Sequence, residues 1–587
     1  MVTFDQLRDL RPAELEDAAD GWHRLSSAAG TAKGRVTDEI ATRLQLAVTG
    51  EGVDAAVERL HDLARSCHHA QVETGLIRTA LNGLAGELRS AQKKLADAVA
   101  DAEAEQFTVK SDGSVHWVDK DPAAPLAPHQ SVRGSRPSMV IGSDPDPKRA
   151  KAQEYADRIG AALSEATEAD ARYAQALGRL HADSDLNVSD AEWVDAQRDM
   201  AAVRGAADHV PAGDIPKGKS PKENADWWKG LSQDEQADYI ALHPASVGAL
   251  DGLPATVRDE ANRAVLAEKR ADYQTQLNAI PPEPIKIQPG RVGSPIATRT
   301  AEWIAWDKKW GDKRSQLEAS LKGMGDIQNR FARKDLEPGE KRFPRAYLLA
   351  FSPEGRGRAV IANGNPDTAD HTAVYVPGTD AGLGNFAHDI KRMTNLWLAA
   401  NSEADGKSVS TITWLGYDAP QGIKQPASSE YANNGAPHLN TFVDGIRASH
   451  ATDSPGHLTV TGHSYGTTLV GSAARQGDLH ADDIVTLGSP GVQVGRATDL
   501  DVPKGHVWNE EADGDKIPGL GRYVHGHREQ ILDTAVYIIP SDRVFGAHQM
   551  RTDTDGHSGY WDTDSGSLKN QALVVVGKYG DVEKGSG

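Results

Sequence analysis

Two different spacings of apolar residues divide this chain. At the start they recur every three or four positions. Leu15, Ala18, Trp22 and Leu25 follow Pro12, which suits a first helical turn. Val53, Val57 and Leu60 continue the pattern beyond Gly50-Glu51-Gly52, and Ile77, Leu81, Leu84, Leu88, Leu95 and Val99 extend it. The spacing predicts an antiparallel helical hairpin or small bundle over 1–105, its stripe serving as core or as a surface for a partner helix. Residues 107–118, "FTVKSDGSVHWV", alternate around Asp112-Gly113 and predict a β-hairpin, with a Pro-, Gly- and Ser-rich linker completing a segment 106–147. Helical patterns with linkers return over 148–340. They include a block at 148–206, a capping box at Ser232 and Glu235 with apolar anchors such as Trp227, Trp228 and Tyr239, and a charged, Trp-bearing helix over 296–333.

From residue 343 the period shortens. "RAYLLAF", "RAVIANG" and "TAVYVPG" read as short strands ended by Pro or Gly. "NFAHDIKRMTNLWLAA" reads as a helix and "VSTITWLGY" as a strand; the alternation runs on through "HLTVTG", "TTLVGSAARQ", "DDIVTLGSPG" and "HVWNEEADGD" to "LVVVGKYG". Nearly continuous apolar strands alternating with helices predict an α/β fold over 343–580, a mostly parallel sheet with helices on both faces, preceded by a long all-α region.

Composition narrows the chemistry. The chain has 587 residues, enough for several domains, and a net charge of −20, which disfavours nucleic acid and anionic lipid as general partners. Its one cysteine, Cys67, excludes internal disulfides and a thiolate zinc cluster. Cys67, His68 and His69 lie within a helical pattern and read as packing or surface groups, not metal ligands. The charged N-terminal stretch lacks the apolar core of a signal peptide, and no apolar run approaches the ~18 residues of a membrane helix. The expectation is a cytoplasmic protein, or one exported without a signal peptide.

The chemistry concentrates at Gly462-His463-Ser464-Tyr465-Gly466. A β-branched strand enters this motif and a small-residue helix leaves it, the context of a nucleophile elbow. Ser464 then stands at a helix N-terminus, where developing negative charge is favoured. A serine nucleophile needs a base, and in this fold the chain order is Ser, then acid, then His. His463 adjoins the serine, and the elbow is expected to point it away. His557, in the polar loop "DTDGHSGYWD" before the closing apolar segment, is the expected base, with His525 and His527 the runners-up; His480, His506 and His548 read as surface or structural. The acid is sought in "HVWNEEADGDKIPGL", which offers Glu510, Glu511, Asp513 and Asp515; Asp515 is preferred and Asp513 is the alternative. The expected oxyanion donors are the backbone N–H of Tyr465 and the Pro377-Gly378-Thr379-Asp380 loop, where Gly378 permits close approach and Thr379 or Asp380 donates. Such a mechanism calls for no metal or organic cofactor.

With these residues in view, 343–577 resembles a family of actinobacterial α/β-hydrolases of largely unassigned activity. The matching segments are "AVYVPGTDAGLGNF", "VSTITWLGYDAPQ", "LTVTGHSYGTTLVGSAAR", "IVTLGSPGV" and "HSGYWD". The resemblance implies a Ser-His-Asp triad on Ser464, His557 and Asp515. The leading expectation is a serine hydrolase that cleaves an ester or an amide through an acyl-enzyme, with a small-molecule or lipid-like ester among its substrates. The first hundred residues are similar, more weakly, to WXG-type hairpins of type VII secretion substrates, with "TGEG" (49–52) where Trp-x-Gly is expected. Tyr579 and Glu583 fit a Tyr-x-x-x-Asp/Glu export pattern. The competing reading is an exported effector or partner-binding protein, its hydrolase region a payload or an inactive scaffold. Segments 416–445 and 516–556 are expected to border and cap the pocket.

Overall fold

The structure is a computed structural model. It describes the chain except residues 49, 118–129, 133–146, 181–186, 208, 289–297, 333–342, 423, 452–455, 478, 532–533 and 586–587. Most of the expected linker after the first hairpin therefore lies outside the described residues.

Helix α1 (Pro12–Gly34) packs along α2 (Glu51–Ala104), a single helix of 54 residues. At 1.5 Å per residue α2 is about 80 Å long. The α1 stripe keeps Leu15 and Trp22, both half-buried, on the side of Ala19 and leaves Leu25 outside it. Leu25 is 51% exposed, and the contact is made by small residues: Ala19 is buried, Ser26 Oγ donates to the Gln71 carbonyl (2.8 Å), and a Cβ on Gly30 would lie 3.1 Å from the Gln71 side chain. Close helix approach selected small side chains over large ones. Along α2 the stripe is core as expected: Leu84, Leu88 and Leu95 are buried against α3 (Pro147–Leu177). His68 and His69 both pack on Trp193 of α4 (Asp190–Ala206), each with ring centroids 5.2 Å away. The expected hairpin forms within 107–117, Thr108–Val109 pairing with Val115–Trp117 around Gly113 at φ +78°. The Ser232 capping box is present.

Glu73 on α2 is buried, and its Oε1 has no hydrogen-bond partner. Burial, with Asp199 and Asp195 adding repulsion, pushes its carboxyl up to about 8. The folded state therefore holds a proton that the unfolded chain releases above about pH 4.3, so stability falls as pH rises from there to about 8. Glu73→Gln is expected to raise stability at pH 8 by a few kcal/mol, about 3–5, and far less at pH 5. Urea unfolding of both proteins at the two pH values checks this.

The second half is an eight-stranded sheet: β1 (Ala346–Ser352), β2 (Arg358–Asn363), β3 (His371–Val376), β4 (Val409–Leu415), β5 (His457–His463), β6 (Asp483–Leu487), β7 (Val507–Glu510) and β8 (His548–Gln549). Their spatial order is β1-β2-β4-β3-β5-β6-β7-β8. Only β1–β2 and β2–β4 pair antiparallel; the remaining pairs are parallel. Every residue of β3, β4 and β6 is buried, which explains why they read as nearly continuous apolar runs, broken by small hydroxyl side chains and a few charged or polar positions. On one face lie α7 (Glu430–Ser449) and α8 (Tyr465–Arg475); on the other lie α6 (Phe386–Glu403) and α10 (Gly566–Val575). The expected α/β architecture is present. The closing apolar segment "LVVV" (573–576) forms the end of α10, which packs on α6.

The helical half closes the sheet edge. From α5 (Ala255–Asn278), Asp259 Oδ1 accepts the Leu348 N–H (2.8 Å) and Asn262 Nδ2 donates to the Leu348 carbonyl (3.1 Å). These bonds satisfy backbone groups that an open edge would leave for other chains. The residues of the export-like pattern are engaged in the hydrolase half. The Tyr579 hydroxyl donates to Asp483 Oδ2 (2.7 Å), and Glu583 Oε2 pairs with Arg551 (3.1 Å). Among the described residues no helix is long and apolar enough to cross a membrane.

Candidate functional site

The carboxyl ends of β3, β5, β6 and β7 converge on one cavity of about 990 Å³. Such a position, beyond the strand ends of a parallel sheet, is where α/β folds bind ligands.

β5 delivers Ser464 on a strained turn. Its φ is +54° and its ψ −129°, a conformation a β-carbon disfavours and a tight turn imposes. The flanking glycines are required by contact. A Cβ on Gly462 would lie 2.7 Å from Thr467 Cα, and one on Gly466 would lie 2.2 Å from the Val376 carbonyl oxygen. Ser464 lines the cavity at 8% exposure, and its hydroxyl has no hydrogen-bond partner among the described residues.

His557 lines the same cavity from the loop after β8. Its Nδ1 donates to Asp515 Oδ2 (2.8 Å) and Oδ1 (2.9 Å). Asp515 also accepts from the Tyr560 hydroxyl (2.6 Å) and the Ile517 N–H (2.9 Å). Burial alone raises this carboxyl, but the bonds from His557, Tyr560 and Ile517 outweigh it and hold it below the ordinary aspartate value. An ionised Asp515 requires the proton on Nδ1, which leaves the lone pair on Nε2. The other acidic residues do not reach the imidazole. Asp513 is exposed, and its bond in this loop is through its backbone carbonyl, from Gly556 (2.7 Å). Glu510 faces α10, where Ser567 and Gln571 bond it and burial pushes its carboxyl well up. Glu511 is exposed.

His463 corrects the expectation that it points away. Its ring lies 4.6 Å from that of His557, and its Nε2 donates to the His557 carbonyl (2.8 Å). Burial, with Arg392 and His557 nearby, holds its basicity well down, so it stays neutral and supports the His557 loop from below. His525 also lines the cavity, but both ring nitrogens are engaged, by the Pro426 carbonyl (2.5 Å) and Ser429 Oγ (3.1 Å). His480 pairs with Asp444 and His506 with Asp483, while His548 packs on Trp508. His527 is exposed, on the strand His527–Ile531.

The β3 loop closes over the elbow. A Cβ on Gly378 would sit 2.8 Å from Ser464 Cβ and 3.1 Å from the Tyr465 nitrogen. The Asp380 N–H donates to the Pro420 carbonyl (2.9 Å) and is not available to a substrate. The N–H groups of Thr379 and Tyr465 have no acceptor among the described residues. The Tyr417 hydroxyl donates to the Pro377 carbonyl (2.7 Å) and pins the loop.

Several neighbours carry no signal in one sequence. Arg392 Nη1 donates to the Tyr375 hydroxyl (2.8 Å) and Asp389 Oδ1 (3.0 Å), and its guanidinium lies 4.5 Å from the Trp561 ring centre. Helix α9 (Ile517–His525) starts two residues after Asp515 and walls the cavity; of the expected cap segment 516–556, the lining comes from this helix. Tyr560 lay within the quoted "HSGYWD"; its spacing of three from His557 was the available signal.

Comparison with known proteins agrees with this architecture. An alpha/beta hydrolase family model matches residues 352–524, which include Ser464 and Asp515 and end before His557. An uncharacterized protein of Mycobacterium tuberculosis is 32% identical over 397 residues, covering 62% of this chain and 57% of that one. This chain thus spans little more than half the length of that relative. An uncharacterized protein of Mycobacterium bovis is 31% identical over 213 residues, covering 35% of this chain and 76% of that one. A solved prolyl endopeptidase structure aligns at 12% identity with a TM-score of 0.21, over 41% of this chain and 40% of that one, too low a score to bear on activity.

Proposed function

This chain belongs to the alpha/beta hydrolase family, and on that premise we propose that it is a serine hydrolase that cleaves a carboxylic ester through an acyl-enzyme on Ser464. The observation that carries the reading is the Asp515-held imidazole of His557 opening onto the same cavity as a serine at φ +54°.

In this reading the Ser464 hydroxyl adds to the ester carbonyl while its proton passes to His557 Nε2. The oxyanion accepts hydrogen bonds from the N–H groups of Tyr465 and Thr379, with Gly378 keeping the loop close. Collapse of the tetrahedral intermediate expels the alcohol, which takes the proton from His557. Water then attacks the acyl-enzyme by the same route, releasing the acid and restoring Ser464. Asp515 fixes the imidazole tautomer and stabilises the imidazolium.

A fluorophosphonate probe tests the assignment. Labelling is expected on Ser464, located by peptide mass spectrometry. A folded protein that ignores the probe would instead favour a family member serving as a binding scaffold. Gly378→Ala pushes a methyl group against Ser464 Cβ and the Tyr465 nitrogen. It is expected to lower kcat on p-nitrophenyl butyrate by about a hundredfold or more, the usual cost of losing one oxyanion donor.

A further inference from the structure

We propose that helix α9 is an acyl-chain platform, so that the preferred substrates are esters of apolar acyl groups long enough to leave the cavity and lie across Leu520 and Val524. This rests on the serine-hydrolase reading above and names the substrate class for that site.

The helix "IPGLGRYVH" sorts its residues by face. Leu520, Tyr523 and Val524 stand at i, i+3 and i+4 and form one stripe, exposed by 69%, 67% and 46%. Water-facing stripes of this kind mark binding surfaces more often than chance. The opposite face fixes the stripe outward. A Cβ on Gly521 would lie 2.3 Å from Pro490 Cβ, Arg522 pairs with Asp542 (3.0 Å), and His525 is tied at both nitrogens to the 426–429 segment. Tyr523 leans on Tyr537 of the following hairpin, with ring centroids 5.4 Å apart. Rotation of the stripe into the core would break all of these contacts.

What identifies the occupant is continuity with the reaction site. Leu520 and Val524 also line the cavity that holds Ser464 and His557, and Ile517, Pro426 and Ala427 extend its apolar wall. A volume of about 990 Å³ is at the upper end of cavities that take drug-sized ligands, about 300–1,000 Å³. An acyl chain bound at Ser464 and longer than the cavity emerges against these side chains and removes them from water. Each buried methylene then favours the longer substrate.

The test compares p-nitrophenyl octanoate with p-nitrophenyl acetate. For the full chain the octanoate-to-acetate ratio of kcat/KM is expected to be on the order of tenfold or more. In the double variant Leu520→Ser, Val524→Ser that ratio should fall about tenfold, toward unity. Both positions face water, and circular dichroism checks that the variant folds. Ile285→Ser, Ile287→Ser, at exposed apolar positions outside the cavity wall, should leave the ratio unchanged. Fluorophosphonate labelling of Ser464 with no chain-length preference, or with a preference the double variant keeps, overturns the platform and leaves the hydrolase reading standing. So does a dimer by light scattering that the double variant abolishes while the ratio holds, since the stripe is then a contact between copies. Failure of the probe to label Ser464, with no ester cleaved, overturns both.

Discussion

Ser464→Ala is expected to lower kcat on p-nitrophenyl esters by about 10⁴- to 10⁶-fold, with what remains coming from binding and the oxyanion donors. The loss should be chemical and not structural. The Ser464 hydroxyl makes no hydrogen bond among the described residues, and alanine keeps the Cβ that the turn already accommodates at φ +54°. The melting temperature should therefore stay near that of the wild type while fluorophosphonate labelling disappears. Steady-state kinetics beside thermal unfolding checks both parts. A variant that retains wild-type turnover would remove Ser464 from the mechanism.

Asp515→Asn is the second large effect, about 10⁴-fold in kcat. The carboxylate accepts the His557 Nδ1 proton through both oxygens and two further donors besides. An amide in its place can present its NH₂ to Nδ1, which favours the tautomer protonated on Nε2 and removes the base. Asp513→Asn is the matched control. That side chain is exposed and has no bond to the imidazole, so kcat should change less than about twofold. Equal losses at 513 and 515 would reassign the acid. The pH dependence of stability adds a separate readout. Because the folded-state pKa of Asp515 is depressed, its ionised form stabilises the protein above the unfolded value near about 3.9, and that contribution is lost as pH falls through the folded value. The stability gap between wild type and Asp515→Asn should therefore be widest at neutral pH and close in acid.

The two halves of the chain were legible to different degrees. The α/β half was readable because parallel strands buried on both faces are mostly apolar and their turns demand Pro and Gly; β3 to β7 lie where those runs stand. The hairpin at Asp112-Gly113 and the cap at Ser232 were readable because each depends on contacts within a few residues. In α1 the same reasoning named the contact face only in part: Leu15 and Trp22 are half-buried there, Ala18 and Leu25 are exposed. Leu25 is the larger apolar residue, yet Ala19, Ser26 and Gly30 make the contact, since helix approach distance is a property of two helices together. The closing "LVVV" suits strand or helix by sequence alone, and its packing on α6 decides for helix.

At the site the sequence by itself determined the tight Gly-x-Ser-x-Gly turn and a short choice of partners for the proposed nucleophile. These follow from local backbone geometry: glycines where Thr467 and Val376 leave no room for a β-carbon, and a polar loop after the last strand. Tertiary structure alone put the carboxylate of Asp515, and not that of Asp513, against His557, engaged the Asp380 N–H with Pro420, set the ring of His463 beside that of His557, and placed Leu520 and Val524 on the wall of the same cavity. Each of those outcomes is a distance between residues far apart in the chain, and no spacing within one segment encodes it.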